Sequence, residues 1–151
     1  MHIISDDLSG PEIRALLEEH FAGMLSHSPQ GSCHFLDFDG LKRDDVTFWS
    51  IWDGDDLAGC GALKQLDAHH GEIKSMRTHA DHIRKGVAAH MLTHILAEAR
   101  ARGMTRLNLE TGTAEAFIPA ISLYRRFGFV DCPPFGDYGP DPHSLFMTRE
   151  I

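Results

Sequence analysis

The chain has 151 residues and 42% hydrophobic content, enough for the core of one domain and too little for several. Its formal net charge of −8 argues against nucleic-acid binding, which needs a basic face, and its longest apolar runs are far too short to span a bilayer. Cys33, Cys60 and Cys132 show no paired spacing, and Met1 to Asp7 lacks a basic and apolar leader, so a soluble cytoplasmic protein with reduced thiols is expected.

Ile3 to Ser5 reads as a short first strand. Ser9-Gly10-Pro11 then marks a helix start, with Ser9 as cap and Pro11 in the first turn. Ile13, Leu16, Leu17, Phe21 and Met24 share one helical face, and the helix should stop near Ser28 to Gly31. Residues 29 to 44 read as a loop. Val46 to Trp52 is apolar in both alternating sets, which predicts a strand covered on both faces. Asp53 to Asp56 turns the chain into a hairpin arm, Leu57 to Leu66. His70 to Thr78 is a further strand.

Val87, Met91, Leu92, Ile95, Leu96 and Ala99 form the strongest helical stripe, stopped by Gly103. Arg106 to Glu110 is a strand. Pro119 opens a helix to Phe127, with Gly128 as its stop. Phe129-Val130 begins a strand, residues 133 to 142 form a Pro/Gly loop, and Ser144 to Thr148 is the last strand. A helix between the strands at 70–78 and 106–110 predicts a right-handed crossover and a parallel pair, whereas the preceding hairpin is antiparallel.

The stretch His82-Ile83-Arg84-Lys85-Gly86-Val87-Ala88-Ala89 joins a strand to that strong helix. A helix start presents unpaired N–H groups and the positive end of a dipole. Gly86, Ala88 and Ala89 allow close approach to the backbone, and Arg84 and Lys85 add charge. The ligand this predicts carries a phosphate or pyrophosphate. No G-x-x-x-x-G-K-[ST] or G-x-G-x-x-G is present, which weakens a nucleotide-binding reading.

The element order, the Gly86-x-Ala88 loop and the segment Leu123-Tyr124-Arg125-Arg126-Phe127-Gly128-Phe129 together resemble the GCN5-related N-acetyltransferase (GNAT) superfamily. The family loop is Arg/Gln-x-x-Gly-x-Gly/Ala; its first position falls on Ile83, a departure, and an Asn common before the Tyr is replaced by Phe117. The match covers residues 45 to 150. Glu72 to Arg77, Leu109 to Gly112 and Phe135 to Tyr138 look like a subgroup of small bacterial acetyltransferases.

The resemblance implies one domain over residues 1 to 151: an α/β fold with a mixed, mostly antiparallel central sheet, a splayed parallel pair and flanking helices. It implies acetyl-CoA as acetyl donor, with no metal. The pyrophosphate would rest on Arg84, Lys85, Gly86, Val87, Ala88 and Ala89, and the pantetheine arm would pair with Met76, Arg77 and Thr78 as an added strand. Tyr124 would protonate the departing thiolate, with a backbone N–H near Met76 for the oxyanion. Glu72, at the spacing of the base in the histone acetyltransferase branch, would deprotonate the amine. Glu110 is the other candidate for holding or deprotonating it, and Asp137 and Tyr138 would line the acceptor pocket.

The implied reaction is direct acetyl transfer to a primary amine, on a small molecule or a protein, in a ternary complex. The acidic chain favours cationic acceptors. No nucleic acid or membrane enters, and a homodimer is compatible with the family. The rival reading is a CoA-binding sensor without turnover, against which Tyr124 and the carboxylates argue. His90 and His94 share a helix face without the H-E-x-x-H zinc pattern and read as a solvated face.

Overall fold

The computed structural model describes residues 1–28 and 36–151. Cys33 and the predicted helix stop beyond Ser28 lie outside them. The elements are β1 (His2–Ser5), α1 (Pro11–His27), α2 (Phe38–Leu41), β2 (Val46–Asp53), β3 (Asp56–Gln65), β4 (His70–Thr78), α3 (Val87–Ala101), β5 (Arg106–Gly112), α4 (Ile118–Arg126), β6 (Val130–Asp131) and β7 (Ser144–Glu150). The strands form one sheet in the order β1-β2-β3-β4-β5-β7-β6. Every neighbouring pair is antiparallel except β4 and β5, which are parallel.

Two local expectations are corrected. The stretch read as loop contains α2, because Asp37 Oδ1 accepts the Gly40 N–H at 2.9 Å and Leu41 is buried. A single capped turn is too short to leave a periodic pattern. At α1 the cap is Gly10 without a side-chain bond. The Ser9 hydroxyl instead donates to Asp7 Oδ1 at 2.6 Å, which removes it from capping.

Two apolar clusters lie on opposite faces of the sheet. Successive β2 residues divide between them: Phe48 joins α1, whereas Trp49 packs with α3. Ile13, Leu16 and Leu17 anchor α1 in the first cluster. The α3 stripe predicted from Val87 to Ala99 is buried throughout. At about 1.5–3 kcal/mol for each large side chain, this stripe holds α3, since its N-cap Gly86 offers no side chain. His94 is only half on the solvated face expected for it. Its ring meets the edge of Trp49 at 4.9 Å.

The feature that makes a site is a fork between β4 and β5. They pair only at His70↔Arg106, Gly71↔Leu107 and Glu72↔Asn108, then diverge. The last rung is tied off by Asn108, whose Nδ2 donates to the Gly71 carbonyl at 3.2 Å and whose Oδ1 accepts from Thr148 at 2.8 Å. Beyond it β5 stays paired to β7 as far as Gly112↔Ser144. On β4 a bulge sets Ser75 and Met76 opposite the single residue Gly61, and Ser75 adopts a φ of 57°. A Cβ at Gly61 would lie 2.8 Å from both Met76 Sδ and Met91 Cγ, so a side chain opposite the bulge would force these methionines to shift.

Candidate active site

The fork opens into a cleft of about 280 Å³. Its walls include Ile73 to Arg77 of β4, Leu109 to Thr111 of β5, Phe117, and Tyr124 of α4. His20, Gly23, Met24 and His27 of α1 also line it. The cleft therefore reaches from the α4 side of the sheet to the α1 side.

Tyr124 is buried on α4, edge-on to Phe129 at 5.9 Å. Burial raises its phenol above the ordinary value, so it keeps its proton at any working pH. Glu110 lies in the β5 wall. Burial is the main cause that lifts its carboxyl from 4.5 to about 7; Lys74 opposes the rise, and the negative charges of Glu72 and Asp141 add to it. A carboxyl held near neutrality suits proton abstraction.

Glu72 is placed differently. It is 2% exposed, and among the described residues the cleft wall includes Lys74 and Glu110 but not Glu72. Its Oε2 accepts from the Tyr138 hydroxyl at 2.7 Å and lies 3.2 Å from Lys74 Nζ. Lys74 in turn donates to the Tyr138 hydroxyl at 2.8 Å. Burial, then the Glu72 charge, raises the Tyr138 phenol and keeps it a donor. The late loop is pinned to β4 by this triad, with Tyr138 also stacked among Phe135 and Phe146. Asp137 is exposed and stands outside the cleft wall.

At the other end of β4, Gly86 has a φ of 78° and a Cβ there would meet nothing within 4 Å. The first bond of α3 is donated by the His90 N–H to the Gly86 carbonyl at 3.0 Å. Ile83 and Arg84 form a turn that closes at Lys85; among the described residues, the N–H groups of residues 86 to 89 donate to no backbone carbonyl. Arg84, with a φ of 64°, and Lys85 are exposed beside them. Free amides, open space and two cations fit an anionic diphosphate. The edge of β4 from Ile73 to Thr78 is unpaired on the β5 side, which fits an extended amide-bearing arm.

Neither described cysteine lines the cleft. Cys60 is buried and donates to the Ser75 carbonyl at 3.2 Å, with its thiol pushed up to about 12 by burial. Such a thiol is a poor nucleophile.

A family model described as "Acetyltransferase (GNAT) family" matches residues 11–129. The chain belongs to the GNAT family. It is 55% identical over 151 residues to the Bacillus subtilis (strain 168) protein "Uncharacterized N-acetyltransferase YsnE", covering 100% of both chains. It is 51% identical over 149 residues to "Uncharacterized N-acetyltransferase YedL" of Escherichia coli (strain K12), covering 99% of this chain and 94% of that one. A crystal structure of a Bacillus subtilis acetyltransferase in complex with CoA shares the fold, with a TM-score of 0.73 at 17% identity over 99% of this chain and 98% of that one. The resemblance read from the two motifs, the sheet architecture and the enzyme class thus all stand.

The α1 part of the cleft escaped the sequence reading: His20, Gly23 and His27, with Met24 read only as part of the apolar stripe. Their signal was present. His20, Gly23 and His27 continue the stripe of Ile13, Leu16 and Leu17 at helical spacing, but as polar or small residues. The α1 face leaves the core at that point and runs over the cleft. Lys74 also acquires a role only through its contacts with Glu72 and Tyr138.

Proposed function

We propose that this GNAT domain, residues 1 to 151, is a soluble cytoplasmic enzyme that moves an acetyl group from acetyl-CoA directly to a primary amine within a ternary complex. The observation that carries this is a cleft through the β4–β5 fork with a proton donor on one wall, Tyr124, and a near-neutral carboxyl on the other, Glu110. The free amides of residues 86 to 89 at the start of α3 support donor binding.

An alkyl ammonium has a pKa of about 10 and must lose a proton before it can attack. Glu110 takes that proton. The amine nitrogen bonds to the acetyl carbon, the carbon–sulfur bond breaks, and Tyr124 supplies the proton that sulfur gains. The bulge at Ser75 and Met76 leaves an extra residue out of the ladder beside the reacting carbonyl, and its N–H suits the oxyanion. Of the two carboxylates singled out in the sequence, the cleft geometry favours Glu110. Glu72 keeps Lys74 and Tyr138 in position. That neither described cysteine lines the cleft supports direct attack over a thiol relay.

The test is release of free thiol from acetyl-CoA across an amine library, with CoA binding followed by calorimetry. Acetylation of at least one amine, lost in Tyr124→Phe and Glu110→Gln while CoA still binds, is the expected result. Tight CoA binding with no transfer to any amine would reassign the domain as a sensor.

A further inference from the structure

The α1 side of the cleft holds polar groups that proton transfer leaves unused. His20 is 8% exposed, and its Nδ1 has no hydrogen-bond partner among the described residues. The Nε of Arg77 and the Oγ of Ser75 are buried and equally unpartnered. All three residues line the same cleft as Glu110 and Tyr124. Arg77 does touch Glu19, Nη2 to Oε1 at 3.4 Å, but Glu19 is 55% exposed. A pair of that kind contributes little and leaves the buried Nε of the guanidinium without an acceptor.

This group can turn donors toward one ligand. A guanidinium donates only and is always charged, a serine hydroxyl can donate, and a neutral imidazole donates from one nitrogen. His20 is neutral at working pH, since burial first and the Arg77 charge second push it down to about 4. Buried donors left without acceptors are costly, and an incoming carboxylate would satisfy several at once. The acidity of the chain as a whole, which favoured a cationic acceptor, does not set the charge met in this cleft, where Arg77 lines the wall along with Glu110 and the Glu72-paired Lys74.

We propose that the acceptor is an amine that also bears a carboxylate, an amino acid or a short amino-acid derivative. Arg77, with His20 and Ser75, holds the carboxylate while the amine faces Glu110. This rests on the acetyl-transfer reading above and narrows it.

The experiment uses matched sets: a free amino acid, its amide and its decarboxylated amine, for an apolar, an acidic and a basic side chain. Acetyl transfer is measured for each, and binding to the CoA-loaded protein is measured separately by calorimetry. In at least one set the free acid should outperform its amide by about tenfold or more in kcat/KM and in affinity. Arg77→Gln should raise KM for the acid far more than for the amide, so that the ratio between them collapses, and Arg77→Lys should restore part of it. Should Arg77→Gln fail to fold, the wild-type comparison and Arg77→Lys decide. Transfer to amides and simple amines as good as to the acids overturns this proposal and leaves the acetyltransferase reading intact. Arg77-dependent binding of acids with no transfer to any amine upholds the carboxylate site and sinks the transferase reading. Neither binding nor transfer overturns both.

Discussion

Replacing Glu110 with Gln should lower activity and raise stability, and the second effect should depend on pH. The carboxyl is held at about 7 in the fold, mainly by burial, against 4.5 when free. A folded-state value raised above the unfolded one means that the ionised form is the penalised one. No penalty exists below pH 4.5; it grows as pH rises and is complete above pH 7. At 1.36 kcal/mol per pH unit the interval corresponds to about 3 kcal/mol, less whatever solvent screens in the open cleft. Gln has the same shape and no charge. Glu110→Gln should therefore melt about 4–10 °C above the wild type at pH 8.5, and within a degree or so of it at pH 4. Turnover should fall about a hundredfold, and the rise of kcat with pH centred near 7 should disappear. Thermal melts at the two pH values, beside a pH–rate profile, test this. A variant no more stable than the wild type at pH 8.5, or one that keeps the limb near 7, would refute the argument that buried Glu110 is the group that titrates.

Glu72→Gln should behave in the opposite way. It leaves Lys74 buried beside a neutral group, so stability should drop by about 3 kcal/mol, while the limb near pH 7 survives in the residual activity; urea melts and the same rate profile separate the two carboxylates. Tyr124→Phe should cost about a hundredfold in kcat with little change in the KM for acetyl-CoA, as steady-state kinetics would show. Gly86→Ala forces a side chain into a φ of 78° where nothing obstructs it, so the expected loss is about 1–2 kcal/mol of backbone strain. That loss should be read as lower stability and weaker CoA binding by calorimetry. Gly112→Ala places a methyl against the Phe117 ring, and a destabilisation of about 1–3 kcal/mol should appear in melts.

Much of the fold was legible because its signals are local and periodic. The α3 stripe, the β2–β3 hairpin and the glycines at 86, 103 and 128, each at positive φ, could be read where they stand. The turn at Gly86, proposed above to hold the diphosphate, was legible for the same reason: its amides and cations are consecutive. What failed locally was short or conditional. Ser9 is a good capping residue, but Asp7 binds its hydroxyl, and α2 is one turn held by Asp37.

The linear chain by itself therefore determined the order of the longer elements, the family and the turn at Gly86, since each depends on neighbours within a few residues. Only the tertiary structure separated the two carboxylates. Glu72 and Glu110 look alike as strand acids, but solvation and charge act across space. Tyr138, 66 positions along the chain, and Lys74 neutralise and enclose the first, whereas the widening fork leaves the second half-buried and near its own proton's release point. The same holds for His20 and Arg77, which meet in one cleft because α1 crosses the gap where β4 and β5 part.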